Sequence, residues 1–463
     1  MQNKHLFSLL AFTMLASCTV GPDYERPQFY PDAEVAKNLK LEQAEASPVG
    51  QDWYKQFNDP ALNRLIERAW AASPNVRIAV HKLREARYGL LRSNVQSFPM
   101  LDINAGYNYD RSSRDIGFSI DRDYYQLGMD ASWDLDIWGG NRRAAEASRA
   151  LFEAAGANLD NVRLVMAAEV ANNYISLRTA QEQLRVAREN LKLQQEIYQL
   201  VQQKYDVGLT DFIALNQAQY AVESTKTLIP QLESEIEAYK NAVAVLLGVL
   251  PDDLAGTLDN TADNLVRRRL SYNLKQLYRL RVDVIRNRPD VRLAEQNLIA
   301  QNAAVGEAVA NLYPDVSISG FVGWQSGKIA GLINGDHSTY SYAPALKLPF
   351  FHWNQLMNTV NEQKEVKEQY VLSYQNAVLS AVSELRNSVV SIRQERQRNQ
   401  AYRKSVKNMR NVLKYTLSKY KNGLIDFNDL LQAEQELLKA QTELLASNCL
   451  LYTSPSPRDP KTS

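Results

Sequence analysis

Two stretches of this chain run for more than 100 residues without a proline. None of its 16 prolines falls between Met100 and Ile229 or between Phe350 and Ser454. Globular helices average about 11–12 residues, so spans of this length predict an extended helical architecture. Asn141 to Val207 holds one glycine, Gly156, and Asn354 to Asn422 holds none. At ~1.5 Å per residue each span forms a helix of about 100 Å. Apart from the N-terminus, no segment approaches the ~18 uninterrupted apolar residues of a transmembrane helix. A membrane crossing by this chain therefore needs strands.

The two long spans are copies of one another. Pro74-Asn75-Val76-Arg77 recurs as Pro289-Asp290-Val291-Arg292, Phe98-Pro99 as Tyr313-Pro314, and Trp138 as Trp353. Lys204-Tyr205-Asp206-Val207-Gly208-Leu209-Thr210-Asp211-Phe212 recurs as Lys419-Tyr420-Lys421-Asn422-Gly423-Leu424-Ile425-Asp426-Phe427. Every pair is 215 positions apart, so the copies align without a net insertion and record a duplication. The organisation expected is a first repeat over 59–250, a connector over 251–288 and a second repeat over 289–448.

Each repeat reads as helix, two strands, a very long helix, a tight turn and a returning helix. In the long helices apolar residues recur every seven positions, which implies a left-handed supercoil. One seam is Leu177, Leu184, Leu191, Tyr198 and Tyr205; its counterpart is Ile392, Val406, Leu413 and Tyr420, interrupted by Asn399. A second seam, Val186, Leu193, Leu200 and Val207, lies on nearly the opposite face, so the helix has neighbours on both sides. The strands alternate. Leu101, Ile103, Ala105, Tyr107 and Tyr109 are interleaved with polar residues or glycine, as are Leu127, Met129, Ala131, Trp133 and Leu135. Val316, Ile318, Val322 and Trp324 follow the same pattern, then Tyr340, Tyr342, Leu346 and Leu348. Segments of about ten residues with aromatic ends suit an outer-membrane barrel; soluble hairpins are the competing reading. Four strands cannot close a barrel and lipid tolerates no open edge, so closure takes several chains, and three would give twelve strands.

The N-terminus favours export. Lys4 precedes an apolar run from Leu6 to Leu15, too short to span a bilayer, and residues 1–17 read as a signal peptide. Leu15-Ala16-Ser17-Cys18 resembles a bacterial lipobox, in which the Cys18 thiol is acylated and becomes the new N-terminus. An incidental cysteine is the competing reading, but Cys18 is the only cysteine before Cys449. Residues 18–58 then form a lipidated, extended N-terminal segment. Thr19 stands where an aspartate would commonly mean inner-membrane retention, so the lipobox resemblance implies the outer membrane.

The sequence resembles the TolC-like outer-membrane factor family, in its OprM-like lipoprotein branch. The residues that carry the resemblance are Cys18-Thr19-Val20-Gly21-Pro22-Asp23-Tyr24-Glu25-Arg26-Pro27, Trp53-Tyr54, Phe57-Asn58-Asp59-Pro60-Ala61-Leu62 and the duplicated glycine-centred turns. The resemblance covers the chain to about Asn448. It implies a mainly helical fold with a membrane β-barrel: long antiparallel coiled-coil helices forming a trimeric α-barrel, plus four strands per chain. It further implies a homotrimer acting as the exit duct of a tripartite efflux system, partnered by a periplasmic adaptor (membrane fusion) protein and an inner-membrane RND-type transporter. Outer-membrane lipid is the remaining partner.

Candidate functional residues follow. Gly208 and Gly423 supply left-handed caps, and Asp211 and Asp426 suit the starts of the returning helices; by resemblance these turns form the periplasmic tip that the adaptor contacts. Asp429, one turn beyond Asp426, would form a ring of three like charges in a trimer, a candidate gate. The resemblance places a gate carboxylate a few residues further along, where this chain has Gln432. Tyr420 and Lys419 are candidates to brace the closed tip, with core packing the competing role of Tyr420.

No catalytic residue is expected. The four histidines (His5, His81, His337, His352) are scattered, no Cys/His spacing resembles a zinc site, and Gly323 to Lys328 is one residue short of a P-loop. No metal and no cofactor beyond the lipid on Cys18 is expected. A net charge of +1 excludes the basic excess of nucleic-acid binding. A non-conducting structural coiled-coil lipoprotein, or a duct devoted to metal ions or secreted metabolites, are the alternatives to small-molecule efflux. Residues 449–463, with Pro455, Pro457 and Pro460 where the first repeat is helical, read as a non-native tail resembling a translated sequencing adapter.

Overall fold

The computed structural model describes residues 19–29, 52–111, 121–254, 258–259, 264–267 and 285–453. The signal peptide, His5, Cys18, most of the expected connector and residues 454–463 lie outside the described residues.

In the first repeat, α1 (Pro60–Ala72) and α2 (Pro74–Val95) lead into β1 (Met100–Arg111) and β2 (Asp121–Asp134), followed by α3 (Gly140–Asp206) and α4 (Phe212–Leu247). The second repeats the order with α5 (Pro289–Ala310), β3 (Asp315–Ser326), β4 (Ser338–Lys347), α6 (Trp353–Lys421) and α7 (Phe427–Thr453). The long helices α3 and α6 span 67 and 69 residues. No described helix is long and apolar enough to cross a membrane. Helix α7 runs past Asn448, the expected native end, to Thr453. Pro230 sits inside α4, where it leaves one carbonyl without its helical donor.

The chain divides into two compact units, each drawing on both repeats. One comprises the segment ending at Phe29, His81–Asn158 and Pro289–Ala377; the other comprises the segment ending at Val80, Leu159–Arg288 and Val378–Ser463.

The first unit holds the sheet, in the order β1-β2-β3-β4 with every pair antiparallel. Register aligns the alternation of all four strands. Ile103 lies opposite Met129, Met129 opposite Val322, and Val322 opposite Tyr340; the next row on that face is Leu101, Ala131, Gly320 and Tyr342. One face is thus apolar, and exposed: Ile103, Val322, Tyr340 and Tyr342 all show most of their surface. The opposite face carries Asp102, Asp130 and Ser341 in one row, and Asn104, Gly128, Gly323 and Thr339 in the next. Phe321 breaks the alternation, falling on this polar face between Asp130 and Ser341. Two glycines make room for it: a Cβ at Gly128 would sit 2.4 Å from the ring, and one at Gly323 2.8 Å from it.

Residues 19–29 lie along the first unit as a strap. The Val20 amide donates to the Trp138 carbonyl at 3.0 Å, and the Asn302 side chain donates to the Pro22 carbonyl at 2.9 Å. Gly21 has φ +89°, and a Cβ there would fall 2.4 Å from the Gly306 Cα, so glycine is required where strap and α5 touch. Arg143, almost wholly buried, donates to the carbonyls of Val20 and Gly21 and pairs with Asp23 and Glu146 at 2.8 Å each. Glu295 accepts from Tyr24 and Arg26. These bonds give a physical role to the sequence that follows Cys18.

In the second unit, Asp59 caps α1 by accepting from the amides of Ala61 and Leu62, with Pro60 at the first helical position. It also accepts from the buried Tyr174 hydroxyl at 3.0 Å, and burial pushes that phenol up to about 12. Arg178 and Gln181 on α3 both donate to the Leu258 carbonyl, at 3.1 and 2.9 Å, which ties part of the 251–288 segment to this helix.

Helix α3 meets three neighbours in this unit. Arg188 pairs with Glu233 of α4, Asn190 bonds Gln441 of α7, and Lys204 reaches the Tyr420 carbonyl of α6. The α6 seam is buried as expected at Ile392, Val406, Leu413 and Tyr420. Asn399 is buried among them, donating to Ser447 at 3.1 Å and Asn448 at 2.8 Å while accepting from Arg403. The α3 seams differ from expectation near the tip, where Tyr205 and Val207 are exposed. The buried positions there are Gln194, Ile197 and Val201, with the seam residues Leu193, Tyr198 and Leu200 partly buried against the same cluster.

Candidate functional site

The tip of the second unit is built from two turns of the same geometry. Gly208 (φ +74°) and Gly423 (φ +71°) both take the left-handed conformation. The Gly208 amide donates to the Tyr205 carbonyl and the Leu209 amide to Lys204; the Gly423 amide donates to Tyr420 and the Leu424 amide to Lys419. These paired bonds are a Schellman motif, repeated at the 215-residue offset. Asp211 caps α4, accepting from the Ala214 amide at 2.8 Å. Asp426 holds the equivalent position before α7 and is exposed.

Below the turns, side chains from all four long helices form one apolar cluster. Ile197 and Val201 come from α3, Ala214 and Ala218 from α4, Val406, Leu413 and Tyr420 from α6, and Phe427, Leu430 and Leu437 from α7. The repeats are not equivalent here. Phe427 is buried against the Tyr420 ring at 5.8 Å, whereas its counterpart Phe212 is exposed beside Tyr205.

The candidate gate residues separate. Asp429 and Gln432 share the exposed face of α7. Tyr420 is buried in the cluster, the packing role its heptad position allows, and its hydroxyl is pushed up by burial. The brace at this point is Lys204, the first-repeat counterpart of Lys419. Its ammonium sits 4.3 Å from the Tyr420 ring centroid and donates to the Tyr420 carbonyl at 2.6 Å, while Lys419 is exposed.

Sequence reasoning passed over two buried groups. Arg143 follows the Trp138 motif with no charge pattern to mark it. Glu434 is 6% exposed, its Oε1 has no hydrogen-bond partner, and burial alone pushes its carboxyl up to about 7. Its first-repeat counterpart is Gln219, so the offset was the available signal.

Residues 65–249 and 280–453 match the family described as outer membrane efflux protein. This chain belongs to that family. Nodulation protein T of Rhizobium leguminosarum bv. trifolii is 26% identical over 439 residues, 95% of this chain and 91% of that protein. Cation efflux system protein CusC of Escherichia coli K12 is 25% identical, covering 94% of this chain and 93% of its own length. Among solved structures, the outer-membrane channel OprN superposes with a TM-score of 0.83 at 29% identity over 95% of this chain and 98% of that one. The Campylobacter jejuni CmeC outer membrane channel reaches 0.82 at 24% identity, a likeness of fold. The chain is an outer-membrane efflux protein with the long-helix and four-strand fold of these channels. Its family and structural neighbours are channel proteins.

Proposed function

We propose that three copies of this chain form a passive duct that exports small molecules across the outer membrane, as the exit component of a tripartite efflux system. The sheet carries this reading. One of its faces is apolar row after row, and β1 and β4 have no strand beyond them among the described residues. Twelve strands from three chains join those edges and put the apolar face against lipid and the polar face on the lumen. Acylation of Cys18 adds an anchor beside the barrel. The tip turns at Gly208 and Gly423 take the periplasmic adaptor, and an inner-membrane RND-type transporter supplies energy and selects cargo. Relatives are named for cation efflux and for toluene efflux, which fits selection outside the duct. Asp429, exposed near the tip, supplies a ring of carboxylates to the closed state. No step requires catalysis.

Single-channel recording from the purified, inserted oligomer tests the reading. A small, cation-biased conductance is expected. A verified inserted trimer that stays silent even with its tip contacts mutated would overturn the duct in favour of a structural coiled coil.

A further inference from the structure

We propose that Phe321 is an aromatic shelf in the wall of the duct that, with Asp130 and Asp102 beside it, takes planar organic cations as they pass. The proposal rests on the duct reading above, which sets the polar face of the sheet on the lumen. It names a class of cargo that this wall recognises.

The ring is held on that face by a slot in the sheet. Phe321 lies opposite Asp130 of β2 and Ser341 of β4, in a row completed by Asp102 of β1. The next residue on the same face of β3 is Gly323, which pairs with Gly128 of β2. A Cβ at Gly128 would lie 2.4 Å from Cζ and 2.5 Å from Cε2 of the ring, and one at Gly323 2.8 Å from Cζ. The ring therefore lies along the sheet over two bare stretches of backbone. One of its faces covers the glycines and the other is left to the lumen, in keeping with its half-buried state. Aromatic cover of glycine backbone steadies strands on its own account, so a binding role has to come from the groups around the ring.

Those groups are anionic. Asp102 and Asp130 face each other across β1 and β2, where side chains stand roughly 5 Å apart and like charges repel. Asp130 accepts from the Asn104 side-chain amide, a neutral donor that cancels none of this charge. Neither this row nor either row flanking it in the described sheet contains Lys or Arg. The face of an aromatic ring attracts cations through its quadrupole, and a flat π-system stacks on it. A ring beside uncompensated carboxylates thus favours a ligand that is both planar and positive. A metal ion would use the carboxylates and gain little from the phenylalanine, and a neutral apolar molecule would do the reverse. One shelf on each chain makes binding weak and repeated around the wall, which lets cargo enter and leave.

The test is block of single-channel current by ethidium, added from the outer side to the inserted full-length trimer. Tetraethylammonium serves as the cation without a flat π-system. Phe321→Leu is expected to lower the affinity for ethidium relative to tetraethylammonium by about three-fold, the loss of one cation–π contact at an exposed site. Phe321→Tyr keeps the ring and should keep the parent ratio, while Asp130→Asn should weaken both blockers. A ratio unchanged by Phe321→Leu in a conducting channel overturns the shelf and leaves the ring as cover for its glycines. A ratio lost equally in Phe321→Tyr overturns it in favour of packing. Inserted trimers that stay silent remove the duct, and the shelf with it.

Discussion

Glu434 is a buried carboxylic acid whose Oε1 has no hydrogen-bond partner, and burial sets its behaviour. Its folded pKa of about 7 lies above the ordinary 4.5, so between those values the folded state holds a proton that the unfolded state releases. Its contribution to stability is therefore complete below about pH 4.5 and is lost as pH rises through 7, amounting to about 3 kcal/mol. Hydrogen exchange in α7, corrected for intrinsic rate, is expected to show weaker protection at pH 8 than at pH 5.5. Glu434→Gln should abolish that difference, and a parent protein without it would refute the assignment. Arg143 acts by pairing. Truncating it to Ala removes the strap's bonds to Val20, Gly21 and Asp23, a loss of order 2–3 kcal/mol for charge-assisted bonds. Faster proteolytic cleavage within residues 19–29, with the helix hairpins still protected, is the expected result. The sequence marks Glu434 only through its Gln219 counterpart at the 215-residue offset, because a heptad count does not distinguish a buried Glu from an exposed one.

At the scale of elements, the tip turns were legible because backbone conformation is a local property. A helix that ends at glycine and restarts after aspartate announces its turn. Nothing lies within 4 Å of a Cβ built at Gly423, so Gly423→Ala is opposed by backbone conformation alone, about 1–2 kcal/mol. It should raise exchange at the α6–α7 turn while leaving α3–α4 unchanged. The α3 seam was only partly legible. Leu184 and Val186 are buried as the heptads require, yet near the tip the buried line passes through Gln194 and Val201, because which face of a helix is covered depends on where its neighbours lie. Helix α7 also extends to Thr453, where Leu451 and Tyr452 are buried.

At the scale of the whole molecule, the proposed function depends on what three chains would enclose. Asp429→Ala removes three carboxylates from the tip of the proposed trimer, and single-channel conductance is expected to rise with a smaller cation bias. Conductance unchanged by the substitution would keep the duct and discard that gate, leaving Gln432 as the neighbouring candidate on the same exposed face.

The sequence by itself determined the duplication, the two very long helices, the alternation of the four strands and the glycine turns. Each of these is written in spacing, and spacing acts over a few neighbouring residues. Only the tertiary structure decided the strand register that places Phe321 among polar residues, the burial of Glu434, the substitution of Lys204 for Lys419 as the tip's brace, and the clamp of Arg143 on the strap. Those depend on which segments distant in sequence come together, and the free energy of burial is set by that company.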